Sequence, residues 1–373
     1  MQVNINDLVY VYEKEISRNT KNKRKIYLFN LHKMQNICHI LDDLESGDYV
    51  PLRYNIFAIF EPKCRIIMSL SIRDKIINHY MARYVLIPKL EKYLDIRNCA
   101  TRYNMGMDYG NRLLKRYLCE SKSKGDVYIL KLDISKYFYS IDHNVLKDML
   151  RDKLSIDEYG IISSIIDSTN SSYINEEIDR IKSNYTGCKG EELGAMPYYE
   201  WGKGLSLGAM VSQFLSIFYL SSLDHFIVHN LHIKRYIRYM DDMICISNDK
   251  DYLYKCRDII EDKLINEYKL RLNKKKTRVY NAREGFIFLG HRYRVINDKI
   301  VVNLRGDSYY KIKRNIKKGK WLFVNNESLL SSLFCSYSNY RYGYRDINNH
   351  KIVNAIDKSL YSIRQCDVKG EEK

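Results

Sequence analysis

The 373-residue sequence predicts an α+β fold, an antiparallel sheet flanked by helices. Three observations carry this reading. Residues 233–247 place two runs rich in β-branched and aromatic residues around the adjacent Asp241 and Asp242, the pattern of a β-hairpin with acids at its tip. Residues 127–134, Val-Tyr-Ile-Leu-Lys-Leu-Asp-Ile, are nearly continuous in apolar side chains, as in a strand covered on both faces. Segments with helical spacing stand on either side of these strands.

In chain order, Leu31, Met34, Ile37, Cys38, Leu41 and Leu44 predict a helix within residues 1–60, which also carry the basic stretch Lys21–Lys25. Residues 61–70 read as a strand, and Ile76, Ile77, Tyr80, Met81, Tyr84 and Leu86 predict the helix after it. Gly106 and Gly110 predict a turn into a second helix, Asn111 to Cys119. The apolar strand 127–134 ends at Asp133, and a helix from His143 to Leu154 follows. Residues 168–203 are polar with glycines at 187, 190 and 194, and read as a long functional loop. A buried helix is expected from Ala209 to about Val228, then the aspartate hairpin, then an amphipathic helix over 250–268. The segment 270–277 leads into a short strand, Gly285 to His291 reads as a tight hairpin, and the last seventy residues read as mostly helical.

Apolar residues make up 45% of the chain and charged ones 29%, which excludes a disordered chain. Lys and Arg number 62 against 45 Asp and Glu, a net charge of +17. A surface so biased attracts polyanions, nucleic acid above all. Nine cysteines without a CxxC pair suit neither a disulfide framework nor a zinc site, so a cytoplasmic location is expected. No apolar signal core and no run of about 18 apolar residues is present, so no membrane association is expected.

The chemistry follows from Asp133 and the Asp241-Asp242 pair. Carboxylates at a tight turn in an apolar frame repel each other, and a divalent cation with a taste for hard oxygen ligands, such as Mg²⁺, relieves that repulsion. An aspartate ending a buried strand, followed about a hundred residues later by a strand–Asp-Asp–strand hairpin, is what two-metal nucleotidyl transfer needs, with ions roughly 3.5–4 Å apart. Here the chain resembles a reverse transcriptase, with six motifs in the family's order over roughly residues 60 to 295. Tyr239-Met240-Asp241-Asp242 resembles the Tyr-x-Asp-Asp box, and Asp133 the first palm aspartate. Phe138 falls where the family excludes a ribose 2′-hydroxyl. Residues 204–213, including Gly208 and Gln213, resemble the template- and nucleotide-contacting helix entry. Lys276 matches a lysine that protonates the leaving pyrophosphate, Phe288-Leu289-Gly290 resembles the primer grip, and Lys63 and Arg65 stand where the fingers contact triphosphate.

The resemblance implies a right-hand polymerase: an N-terminal extension (1–60), fingers (61–125), a palm (126–300, with an insertion at about 145–203) and a thumb (301–373). It implies RNA-directed DNA polymerisation with two Mg²⁺ ions, Mn²⁺ as a substitute, held by Asp133, Ile134, Asp241 and Asp242. Its partners would be dNTPs, a structured template RNA and its cDNA product, with an accessory protein or a homo-oligomer left open. Leu207 stands where many relatives carry glutamine, and the Leu-x-Leu-Gly-x-x-x-Ser-Gln form is similar to enzymes of diversity-generating retroelements and phage defence. That departure implies low fidelity. No cysteine–histidine nuclease cluster, ribonuclease H acids or C-terminal Val-Thr-Gly is visible, which speaks against mobile-intron, retroviral and retron enzymes. Residues 307–321 combine basic and aromatic positions, and Lys313, Arg314, Lys317 and Lys318 are expected to hold backbone phosphates. The alternatives are untemplated or protein-primed DNA synthesis, and a catalytically silent RNA-binding scaffold.

Overall fold

In the computed structural model, residues 1–304 are described apart from positions 62 and 124, together with isolated positions beyond (310, 314, 353, 354, 356–358 and 361). The chain opens with α1 (Ile5–Tyr10), which runs on through a π-helical stretch, then α2 (Lys23–Leu31) and α3 (Lys33–Ser46). Asn4 and Asn22 cap the first two helices by accepting backbone N–H groups. The expected helical face of α3 is shifted. Ile37, Ile40 and Leu44 are buried, whereas Leu31 and Met34 are exposed. These residues share one core with Leu8, Val11, Tyr12, Ile76, Ile77 and Met81.

β1 (Asn55–Ile59) and β2 (Arg65–Ser69) form an antiparallel pair, and α4 (Ile72–Tyr80) leads through a π-helical stretch into α5 (Ile87–Leu90). Helix α6 (Met107–Lys122) starts four residues earlier than the sequence suggested. Gly106, at φ +129°, breaks the chain before it, while Gly110 lies inside the helix, where a Cβ would meet Leu289 Cδ1 at 2.9 Å. The glycine marks close packing rather than a turn.

β3 (Tyr128–Asp133) is followed by α7 (Tyr137–Ser140), α8 (His143–Arg151) and α9 (Ile156–Asp167), the last opened by a Ser155/Glu158 capping box. Residues 168–203 are not an irregular loop. They contain α10 (Tyr173–Ser183) and α11 (Gly187–Gly194). Ile174, Ile178 and Leu193 pack with Ile66 and Met68 of β2 in a small separate core. Next come α12 (Met210–Tyr219), α13 (Ser221–His225), β4 (Tyr236–Tyr239), β5 (Asp242–Ser247) and α14 (Lys250–Tyr268). The chain continues through β6 (Arg278–Asn281), β7 (Phe286–Phe288), β8 (His291–Ile296) and β9 (Lys299–Leu304).

Four strands form an antiparallel sheet in the order β4-β5-β3-β6, and β7-β8-β9 form a second sheet. The alternation of side chains on β3 explains its unbroken apolar run. Leu130 and Leu132 enter the main core with Met243 and Cys245. Ile129 enters a second core with Ile244, Ile246, Leu114 and Phe288 on the opposite face. The helical run Met210–Asn230 is long and apolar enough to cross a membrane, but 78% of its apolar window is buried inside the protein, as the sequence reading expected of a core helix. The seven described cysteines are all free thiols.

Candidate active site

Strand register brings the acids together. Asp133 ends β3 directly opposite Asp242, the first residue of β5, so both point to the same face of the sheet. Tyr239 pairs with Asp242 across the hairpin, which leaves Met240 and Asp241 as its two-residue tip, with Met240 at φ +57°. Residues 271–273 lie along the far side of β3. Asn273 N–H donates to Asp133 O at 2.7 Å and Ser135 N–H to Arg271 O at 2.9 Å. Because peptide groups alternate along a strand, the N–H and C=O of Ile134 then point the other way, toward the aspartate hairpin. The turn closed by Lys276 N–H on Asn273 O carries Lys276 over Asp133, and Nζ lies 3.0 Å from both carboxylate oxygens.

Burial pushes the Asp241 carboxyl above its ordinary range, and the neighbouring Asp133 charge adds to this. Lys276 and Lys63 pull in the other direction, so Lys63 is close enough for its charge to be felt at the hairpin tip. Burial also pushes Asp242 up to about 6, against the opposing Lys131. Lys131 Nζ donates to Asp242 Oδ2 at 3.1 Å and to Ile287 O at 2.9 Å. It thereby ties the hairpin to β7. The other Asp242 oxygen, Oδ1, is buried without a hydrogen-bond partner.

Among the described residues, no three carboxylate, imidazole or thiol groups converge as they would around a bound ion. Asp133 and Asp242 each hold a lysine instead. The donor set nonetheless suits a divalent cation. It offers hard oxygens, carboxyls kept basic by burial and mutual repulsion, and one orphaned oxygen.

Phe138 lies half-buried on α7, its carbonyl accepting Leu205 N–H at 2.7 Å. Gly208, at φ +121°, passes β2 so closely that a Cβ would stand 3.3 Å from Met68 O, and Met68 N–H donates to Leu207 O at 3.0 Å. Gln213 is the one exposed residue of α12 and caps no buried carbonyl. One turn along that helix, Ser216 Oγ lies 3.6 Å from the Met240 sulfur, so Gln213 opens beside the hairpin tip. Leu289 and Gly290, at φ +46° and +82°, form the turn between β7 and β8, and Phe288 before them is fully buried. Lys63 and Arg65 are exposed at the end of the β1–β2 hairpin. Arg314 is exposed, 3.9 Å from Glu61, whereas Lys313, Lys317 and Lys318 lie outside the described residues.

Sequence reasoning missed Lys131 and the buried pair Arg238–Asp224. Lys131 was accessible to it, since it precedes Asp133 by two residues and so shares its face of the strand. Arg238 and Asp224 are both wholly buried. Nε and Nη2 of Arg238 bind Asp224 at 2.7 and 2.6 Å, and Nη1 donates to Met240 O at 3.1 Å. A charge in each of two otherwise apolar segments was the only signal.

An antiparallel sheet that brings an aspartate of a central strand beside those of an adjoining hairpin is an arrangement compatible with nucleotidyl transfer. The chain belongs to the reverse transcriptase (RNA-dependent DNA polymerase) family, whose model matches residues 61–293, and it is an enzyme of that class. It is 23% identical to Protein YkfC of Escherichia coli (strain K12) over 289 residues, covering 67% of this chain and 69% of that protein. Among solved structures, apo telomerase from Candida Tropicalis truncated from its C-terminal domain aligns at 15% identity and a TM-score of 0.47, covering 73% of this chain and 60% of that one. Telomerase from Candida albicans in complex with a fragment of telomeric RNA aligns at 14% identity and a TM-score of 0.45, with 84% and 56% covered. The chain thus spans less than two thirds of these telomerase chains.

Proposed function

We propose that this protein copies a structured RNA into DNA at the centre formed by Asp133, Asp241 and Asp242. The observation that carries the reading is the register of Asp133 against Asp242 with Asp241 at the tip, two of these carboxyls being held above their ordinary pKa by burial. Asp133 and Asp241, with the carbonyl of Ile134 and Asp242 beside them, would hold the two Mg²⁺ ions, or Mn²⁺ in their place. Bound there, the ions would acidify the primer 3′-hydroxyl and neutralise the triphosphate.

The chain's own groups do the rest. Lys276 holds a proton at Nζ beside Asp133 and is placed to give it to departing pyrophosphate. Lys63 and Arg65 supply cations to the triphosphate from the β1–β2 hairpin, and Phe138 fills the space beside the sugar 2′-carbon. Gly208 and Gln213 face the base and template, and the Phe288–Gly290 turn supports the primer end. Leu207 in place of glutamine favours error-prone copying, as in diversity generation, with phage defence as the other setting for such an enzyme. The fingers are assigned to 61–125, the palm to 126–300 and the thumb to 301–373.

Primer extension on an RNA template with Mg²⁺ tests this. Asp241→Asn is expected to abolish nucleotide incorporation, while RNA affinity stays within a few-fold of the unmodified chain. Retained incorporation would overturn the assignment.

A further inference from the structure

Trp201 is 82% exposed, an uncommon place for a tryptophan. Its turn is held from several directions. Gly202 N–H donates to Asn170 Oδ1 at 2.7 Å, Gly202 O accepts His143 N–H at 2.9 Å, and Gly204 N–H donates to Ile141 O at 2.8 Å. Gly202 itself adopts φ +73°, so the backbone is shaped to turn here. A fixed backbone thus presents a large flat ring to solvent, with no contribution to any of the three cores.

The position of the turn matters as much as its rigidity. Residues 202–205 run antiparallel to 138–143, the stretch that leaves Asp133. In this ladder Leu205 lies beside Phe138 and Trp201 follows at the far end, beyond His143, so the turn continues outward the stretch that starts at Asp133 and Lys136. Beside it, Tyr198 is 43% exposed and carries Lys182 Nζ 3.6 Å from its ring centroid. Lys182 is oriented by Met196 O at 2.9 Å. Lys136, exposed at the start of α7, is near enough for its charge to act on both Lys182 and Glu200. The acids beside this turn are already engaged, Asp142 among them by accepting Val145 N–H at 3.1 Å. Asp179 accepts the Tyr198 hydroxyl, and Glu200 pairs with Lys203 at 2.6 Å. The surface left over is cationic and aromatic.

We propose that Trp201, Tyr198, Lys136 and Lys182 form a stacking platform for the unpaired template strand as it enters the site. This step rests on the polymerase reading above and adds a subsite to it. An aromatic face stacks on any base, and ammonium groups follow the phosphates without reading sequence. A strand that advances one nucleotide per addition needs that kind of contact.

The test is binding without nucleotides, so it does not depend on catalysis. Fluorescence anisotropy compares a primer–template duplex bearing a single-stranded template overhang of about six nucleotides with the same duplex made blunt. Trp201→Ala is expected to weaken the overhang substrate about 5- to 150-fold, the range expected for one lost stacked base, and to leave the blunt one within about twofold. Trp201→Phe should keep most of the affinity. In a Trp321→Phe chain, the overhang substrate should quench the remaining Trp201 fluorescence and the blunt one should not. Equal loss on both substrates, no loss on either, or no quenching would overturn the platform; the last two would leave the exposed ring to a protein partner. Failure of the polymerase reading shows separately, as incorporation by Asp241→Asn.

Discussion

Arg238 holds the hairpin tip from beneath. Its guanidinium spends two donors on Asp224, one on Ile217 O at 2.8 Å and one on Met240 O at 3.1 Å, while Tyr236 adds its hydroxyl to Asp224 at 2.7 Å. Such a pair is weak evidence for stability as a whole, but removing one partner strands a charge in the core. Arg238→Leu is therefore expected to cost about 3–5 kcal/mol in denaturant unfolding, because Asp224 is left unpaired. Replacing both charges, Arg238→Met with Asp224→Leu, should return most of that stability. It should not return primer extension, since the Met240 carbonyl loses its donor and Asp241 its fixed position. Recovery of both together would mean that the pair is structural only. The placement of Asp133 at a strand end and of Asp241 and Asp242 at a hairpin was legible in the sequence because the flanking apolar runs mark the strands. Arg238 was not, because its role depends on a contact fourteen residues away that only the fold creates.

At the scale of elements, His143 joins α8 to the segment that becomes the Gly208 loop. The ring is 1% exposed, with Nε2 2.7 Å from Gly204 O and Nδ1 3.2 Å from Asp167. Burial holds its pKa below the ordinary 6.5, with Gly204 O and Asp167 opposing and Lys147 adding to the shift. The unfolded chain therefore takes up a proton near pH 6.5 that the folded chain accepts only at lower pH. The stability from this group is full above pH 6.5 and is lost as pH falls through the folded pKa. The thermal midpoint should fall between pH 7 and 5, and His143→Gln should flatten that fall. An equal drop in the variant would assign it to other groups. Legibility at this scale followed periodicity. The aspartate hairpin, β3 and α14 announced themselves through long regular patterns. Residues 168–203 did not, since Ile174, Ile178 and Ile181 are set among acidic and polar residues, and glycines 187, 190 and 194, poor helix formers, lie within α11.

Over the whole molecule, the four-stranded sheet divides two cores and ends in acids flanked by Lys131 and Lys276. A protein of net charge +17 that encloses a small acidic centre should bind RNA mainly through phosphates. Two basic segments compete for that role. One is Lys313, Arg314, Lys317 and Lys318, where Arg314 is exposed and only weakly paired with Glu61. The other is Lys21, Lys23, Arg24 and Lys25, all exposed and without an acid in the first turn of α2. Each phosphate neutralised on duplex RNA contributes roughly 0.9 to the slope of log affinity against log salt, by analogy with B-form duplexes. Neutralising the first four together should flatten the slope by about 2–4 and impair synthesis on long templates. Short annealed primer–templates should suffer less, because the contacts of Lys63, Arg65 and Lys276 remain. An unchanged slope would make residues 307–321 a solvated face, and the same substitution of the α2 quartet would then be expected to produce the loss.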